Sequence, residues 1–471
     1  MINRYWGAKM KELWGTSRMK FAYWLRVEIA VLYAREECEQ LPRGMGHAIR
    51  SATWIDDEVV RAIERRDREI GHDLNAFVEI MRLQILADKT EFLRIIALDS
   101  DEEFNNEVSR ALEGVANNPN AGYFHDGMTS YDTEEPAMSL LFQDSCDQIQ
   151  SGLSELLRIL VQKAKDCKGM VMMGRTHGQH AQPITFGIKL VNWYSSLLRA
   201  LDKFAEAKDN AKVMKLSGAV GVFGTLGPKV EEFTGDYLRL KPVLATQIVS
   251  LDYRARIINE LAIISSLIEK IANDLWEMCQ TEIGEVREPF SKRQKGSSAM
   301  PHKKNPINLE QIRGLAGLVR GYAHTMMELI CTSQERDISH SAQERMLVPD
   351  AFGIVDHQIR KLTAIIRDME VFPERMKSNI ELSYGTFASQ KVEMFLKQLG
   401  VPAEIAYRKV QKACNLAVVE KRSLYDVLLS DEDLHPFLSL AEVQNELQGF
   451  FDPQSWVKEE GFIYAREKIG F

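Results

Sequence analysis

Cysteine, proline and alternating β-branched runs are all scarce in this chain, and each scarcity removes a class of structure. The six cysteines (Cys38, Cys146, Cys167, Cys279, Cys331 and Cys414) are scattered over 471 residues with no close pair. Neither a disulfide framework nor a thiolate zinc site is indicated, and a reducing cytoplasm is the expected location. No window of eighteen residues is free of charge, and the N-terminal MINRYWGAKMKELW has no basic segment followed by an apolar run. A membrane span and a signal peptide are therefore not expected. The net charge of −8 disfavours nucleic acid or an anionic membrane surface as the main partner. An anion would have to bind at a local basic site.

The hydrophobic share of 45% and charged share of 27% are those of a folded globular protein. Fourteen prolines leave four long stretches without one, 137–182, 184–227, 243–288 and 307–348, where long helices are permitted. In the third, Ile257, Ile258, Leu261, Ile264, Ile268, Ile271, Leu275 and Met278 recur at steps of three and four, a helical stripe of bundle length. The expected class is all-α. Breaks near NNPNAGYF and VFPERM suggest an N-terminal helical region (1–127), a central block of very long helices (128–372) and a C-terminal helical region (373–471). Long apolar helices seldom satisfy themselves within one subunit, so oligomerisation is expected.

Chemistry concentrates in KGSSAMPHKKNP. From Pro289 to Leu309 no acidic residue occurs, while Lys292, Arg293, Lys295, Lys303 and Lys304 are basic. A solvated basic loop is the plain interpretation of such a run. Its helix breakers Gly296, Pro301 and Pro306, its hydroxyls Ser297 and Ser298 and the amide of Asn305 suit better a loop that surrounds an oxyanion.

GSSAMPHKKNP resembles the signature loop of the fumarase/aspartase superfamily, whose members eliminate fumarate from a succinyl-bearing substrate. GRTHGQHAQPITFG (174–187), ERDISHSAQER (335–345) and Arg4–Tyr5 are similar to the adenylosuccinate lyase family rather than to argininosuccinate lyases or fumarases. The likeness spans essentially the whole chain. It implies an all-α, three-domain fumarase/aspartase-like fold whose central bundle assembles into a homotetramer, with active sites shared between subunits and no cofactor or metal. The implied reaction is β-elimination of fumarate from adenylosuccinate to give AMP, and from succinyl-aminoimidazole-carboxamide ribotide, in purine biosynthesis.

Such a reaction needs a base for the proton beside a carboxylate and an acid for the departing nitrogen. The resemblance assigns these to Ser297 and His177; Ser298 remains a rival for the base, since chemistry alone does not separate two adjacent hydroxyls. It also implies substrate contacts from Arg4, Tyr5, His72, Asp73, His125, Thr129, Ser130, Thr176, Gln247, Lys303, Asn305, Glu310, Arg336, Ser341 and Arg345. Within that set, Lys303 and Asn305 would hold a carboxylate, Glu310 would orient His177, and Arg4, Arg336 and Arg345 would suit the phosphate.

Several residues carry a second interpretation. Asp73 fits an N-cap, and His177 with His180 fits a metal pair of a zinc hydrolase. The chain also departs from the family pattern. Tyr131 and Glu135 stand where a small polar residue and an aspartate are expected, and Leu251, Tyr253 and Arg254 replace Arg, Arg and His. The interval from Asp73 to Thr129 is long, implying an added helix or loop around 85–122. The departures at 131–135 and 251–254 motivate one alternative, a superfamily lyase with an altered substrate; a non-catalytic homologue is a second, disfavoured by the presence of Ser297, His177 and Lys303.

Overall fold

The computed structural model describes residues 4–290 and 300–470. Helices dominate, the longest being Ser130–Asp166, Phe186–Asn210, Asp252–Met278, Ile307–Glu328 and Ser339–Asp368. Every member of the Ile257-to-Met278 stripe is buried, as its periodicity requires. Proline does not delimit these helices, however. Ser130–Asp166 runs through Pro136 and Ser339–Asp368 through Pro349. Each proline removes one N–H donor and crowds the carbonyl four residues back, a cost of roughly 3 kcal/mol. A helix with a long buried face tolerates that cost because its stability comes mainly from packing.

The chain forms two compact units, each drawn from three stretches of sequence. The first comprises residues up to Gly152, 201–264 and 317–357. Its aromatic core joins Trp14, stacked on Phe352, to Phe142, which meets both edge-on. A second aromatic group packs Phe21, Trp24, Phe77 and Phe124 together. Residues 85–122 contain the helices Lys89–Ile96 and Asp101–Leu112, capped by the side chains of Asp88 and Ser100, followed by a short 3-10 turn, Glu113–Asn117, and the start of the helix Pro119–Tyr123. They are packed elements and not a loose loop. Phe92, Ile95, Phe104 and Val108 are buried, Phe92 lies edge-on to Trp54, and Arg65 covers the Phe104 ring.

The second unit comprises 153–200, 265–316 and the chain from Gln358 onward. Three long helices are tied inside it by one buried polar chain: Ser265 Oγ donates to Gln358 Oε1 (2.7 Å), and Gln358 Nε2 donates to the Ile312 carbonyl (2.9 Å). The short MVMMG run, which periodicity alone left undecided, is a strand. Val171–Thr176 pairs antiparallel with Gln179–Thr185. The two turn residues His177 and Gly178 both have positive φ, +55° and +72°, as a two-residue hairpin turn matched to strand twist demands. The register shifts between Met173 and Arg175. Gly174 sits there because a Cβ would lie 2.7 Å from the Gln182 carbonyl oxygen. Met173 anchors the hairpin in a C-terminal core with Phe387, Phe395, Leu396 and Leu424.

Candidate active site

In the first unit, the start of the Ser130–Asp166 helix gathers several of the residues singled out from sequence. The Thr129 backbone N–H donates to the Asp132 carboxylate (3.0 Å). Asp132 is itself buried against Lys215 at 2.6 Å and accepts from the Gly218 N–H at 3.1 Å. Lys215 completes its coordination on the Gly218 carbonyl (2.6 Å). Two full charges with essentially no exposure persist only because each has an opposite charge and further hydrogen bonds. The Asp132 side chain thereby fixes the backbone that presents Thr129 and Ser130.

One turn on, Thr133 donates to Glu28 Oε1 (2.6 Å), and the same oxygen lies 2.8 Å from His125 Nδ1. Burial alone would lower the His125 pKa, but the Glu28 carboxylate overcomes it and holds the imidazole above its ordinary value. His125 itself adopts a left-handed conformation, φ +60°, which aims its ring at Glu28. Arg35 secures this turn, donating to the Asp126 carbonyl and carboxylate at 3.1 Å.

The two departures at 135 and 254 prove to be complementary. Arg254 donates to Glu135 at 2.6 Å and to Glu344 at 2.8 Å, all three being buried. Burial pushes the Glu135 carboxyl up, while the two carboxylates keep Arg254 charged against burial. Tyr131 likewise has a partner. Its ring underlies the Arg336 guanidinium, 3.8 Å from ring centroid to guanidinium carbon, and Arg336 also donates to the Tyr131 hydroxyl and to Gln247 Oε1 (3.2 Å). Ser341 is buried in the first turn of the Ser339–Asp368 helix.

A cavity of about 240 Å³ opens beside this turn, walled by Trp14, Trp24 and Met138 and lined by Lys20, Asp73, Glu134 and Arg345. Asp73 is the first residue of its helix, and the cap is His72, whose Nδ1 accepts from the Asn75 N–H (3.3 Å). This corrects the N-cap expectation for Asp73. The carboxylate is used otherwise: Lys20 sits at 3.0 Å and Arg345 at 3.6 Å. Burial pushes its pKa up, but these cations hold it below the usual range. Glu134, with burial and the nearby Asp73 charge acting together, is pushed up to about 7.

The remaining residues lie elsewhere. Arg4 is exposed, and Tyr5 packs edge-on to His357. Thr176 and His177 are exposed at the hairpin tip, in the second unit. Lys303 is exposed and Asn305 half-buried in the residues leading into the Ile307–Glu328 helix, where Glu310 accepts from Trp276 Nε1 at 3.4 Å. Ser297 and Ser298 lie outside the described residues. His177 and His180 occupy a hairpin and not a helix face, with His180 opposite Arg175. Burial and the Arg175 charge lower the His180 pKa. Among the described residues, no group of three or more His, Cys, Asp or Glu is placed to hold a metal ion.

Glu28, Lys215 and Lys20 escaped the reading from sequence. A signal for two of them existed. Glu28 in VEIAV and Lys215 in VMKLSG are charges flanked by apolar neighbours, and a charge so placed is usually paired inside the fold.

The family model described as Lyase matches residues 47–321, more than half of the chain, so the chain belongs to a family of lyases. Relatives named adenylosuccinate lyase extend the likeness over the full length. Those of Aquifex aeolicus (34% identity, 99% of this chain, 98% of the relative), Thermotoga maritima (36%, 99% of each) and Synechocystis sp. (34%, 100% of each) are examples. The chain belongs to the adenylosuccinate lyase family. Solved structures share the fold: a fumarate lyase from Mesorhizobium sp. (TM-score 0.84, 23% identity, 100% of each chain) and the 3-carboxy-cis,cis-muconate lactonizing enzyme from Pseudomonas putida (TM-score 0.82, 25%, 98% of this chain and 96% of that one).

Proposed function

We propose that this chain catalyses β-elimination of fumarate from adenylosuccinate, releasing AMP, and from succinyl-aminoimidazole-carboxamide ribotide in purine biosynthesis. The observation that carries this reading is the full-length relationship to enzymes of that name. The chemistry of the site agrees with it. Thr129 and Ser130, at the start of a 37-residue helix, offer hydroxyls where the helix N-terminus favours an anion, which suits a succinyl carboxylate. His125, its pKa raised by the Glu28 carboxylate, adds a ring nitrogen able to hydrogen-bond beside them. Arg336, Ser341 and Arg345, with Arg4 and Tyr5, bind the phosphate; His72, Asp73, Gln247 and Thr176 complete the substrate contacts.

In the elimination, a base removes the proton from the carbon beside a succinyl carboxylate. Lys303 and Asn305 stabilise the charge that moves onto that carboxylate, the carbon–nitrogen bond breaks, and the electron pair left on nitrogen takes a proton from an acid. The acid is His177, and Glu310 orients it. The base is Ser297 by family position, although it lies outside the described residues. No cofactor or metal takes part.

The working form is a homotetramer in which the His177 hairpin and the Thr129–Ser130 turn of one site come from different subunits. Leu318, Met327 and Met346 remain exposed on long helices of the first unit, and Ile330 in the turn that follows one of them, an apolar surface suited to covering by another copy. No helix among the described residues is long and apolar enough to cross a membrane, and all six cysteines are free; the cytoplasm suits such a protein.

Fumarate release is measured by absorbance with adenylosuccinate and argininosuccinate side by side. Turnover of adenylosuccinate alone is expected. Turnover of argininosuccinate alone overturns the reading.

A further inference from the structure

Tyr131 belongs to no assigned role, and it is the point at which this chain replaces an expected small polar residue with a large aromatic one. Its surroundings are specific. The ring is buried, with 8% of its surface exposed, and its π-face covers the Arg336 guanidinium at 3.8 Å. Its hydroxyl accepts from Arg336 Nη2. Gln247 Oε1 accepts from Arg336 Nη1 at 3.2 Å. Arg336, singled out from sequence for substrate binding, is thus held by Gln247, which was singled out too, and by Tyr131, which was not.

A guanidinium offers five N–H donors in a rigid plane. Here one Nη donor is directed to Gln247 and another to Tyr131, while Nε is buried without a protein partner among the described residues. The stack fixes the plane of the fork and the two hydrogen bonds fix its rotation, leaving donors in a set direction. Arginine otherwise carries large rotamer entropy that is lost on binding an anion. A side chain that removes this freedom beforehand strengthens binding without touching the ligand.

We propose that Tyr131 is a positioning residue: it holds Arg336 in the orientation in which its remaining donors meet the phosphate of the substrate. This rests on the proposed function, through the assignment of Arg336 to the phosphate. Ordinary core packing by Tyr131 is the competing explanation, and the two differ in what they couple. A packing residue affects stability and every ligand alike. A residue acting through Arg336 affects only ligands that carry a phosphate, and only while Arg336 is present.

The experiment is steady-state kinetics on the full-length enzyme with Tyr131→Leu, Tyr131→Phe, Arg336→Ala and the Tyr131→Leu/Arg336→Ala pair. Tyr131→Leu is expected to raise KM for adenylosuccinate about tenfold through lost preorganisation, with kcat changing less than about threefold, since ground state and transition state share the phosphate contact. Tyr131→Phe, which keeps the stack, falls between. Product inhibition by AMP weakens in parallel with KM, whereas inhibition by fumarate, which has no phosphate, stays at the wild-type value. In the Arg336→Ala background Tyr131→Leu adds nothing, the non-additivity expected of residues acting as a unit. The role is overturned if Tyr131→Leu leaves KM unchanged, if AMP and fumarate inhibition weaken together, or if the penalty persists without Arg336. A wild-type enzyme that releases no fumarate from adenylosuccinate removes the function reading and this role with it. Normal wild-type turnover with an unaffected Tyr131→Leu removes only the role of Tyr131.

Discussion

The first turn of the Ser130–Asp166 helix and the tip of the Val171–Thr185 hairpin both carry residues of the proposed site, yet they are built on opposite terms. Around the helix turn, Asp132, Thr133 and Glu135 each meet a buried partner, in Lys215, Glu28 and Arg254. The hairpin tip holds Thr176 and His177 in the open, their position set by two left-handed turn residues and the pairing of the strands below. No side-chain hydrogen bond to His177 is present among the described residues. One region is preorganised by its own chain. The other is a projection whose working surroundings, in the proposed tetramer, belong to another copy.

The largest expected effect breaks that comparison at the hairpin. His177→Ala and Ser297→Ala should each lose on the order of a thousandfold in kcat. Denatured together in equal amounts and refolded, they should recover about a quarter of wild-type activity, because each shared site draws the two residues independently from different chains. Mixed tetramers, shown by a tag on one variant, that stay inactive contradict the sharing. At the helix turn the effect falls on stability. Arg254→Met leaves Glu135 and Glu344 buried without their cation and should destabilise the protein by about 3–5 kcal/mol. His177→Ala, at an exposed position, should stay within about 0.5 kcal/mol. Calorimetric melting of both variants measures the contrast, and equal Tm losses would erase it.

The smallest effect sharpens the contrast by pH. Glu134 titrates near 7 in the folded protein against 4.5 for an ordinary glutamate. Between these values the folded state binds more protons than the unfolded chain, so this group's contribution to stability falls as pH rises from about 4.5 to 7. Glu134→Gln removes the term. Its Tm relative to wild type should therefore be a few degrees higher at pH 8 than at pH 4.5, read by thermal melts in matched buffers. A pH-independent difference would show that Glu134 is ionised normally.

The helical class, the stripe from Ile257 to Met278 and the residues around the helix turn were legible because periodicity and motif report local structure. The hairpin was not. Four apolar residues and a glycine do not distinguish strand from helix, and the turn depends on His177 entering a left-handed conformation that no propensity requires. The departures at 135 and 254 looked like two independent losses of the family pattern. They are one buried ion pair, and sequence could not show it because the pair is made across 119 positions of the chain.

Both helices that bear the helix-turn cluster carry a proline just beyond its residues. Without an N–H at Pro136 and Pro349, the carbonyls of Asp132 and Arg345 are released from the helical ladder. The cooperativity that propagates from one helical turn to the next is interrupted at those two places. Each helix end is consequently a semi-independent module along its own helix, and what ties it to the bundle is side-chain pairing: the exchange at Glu135 is matched by the one at Arg254 on the Asp252–Met278 helix.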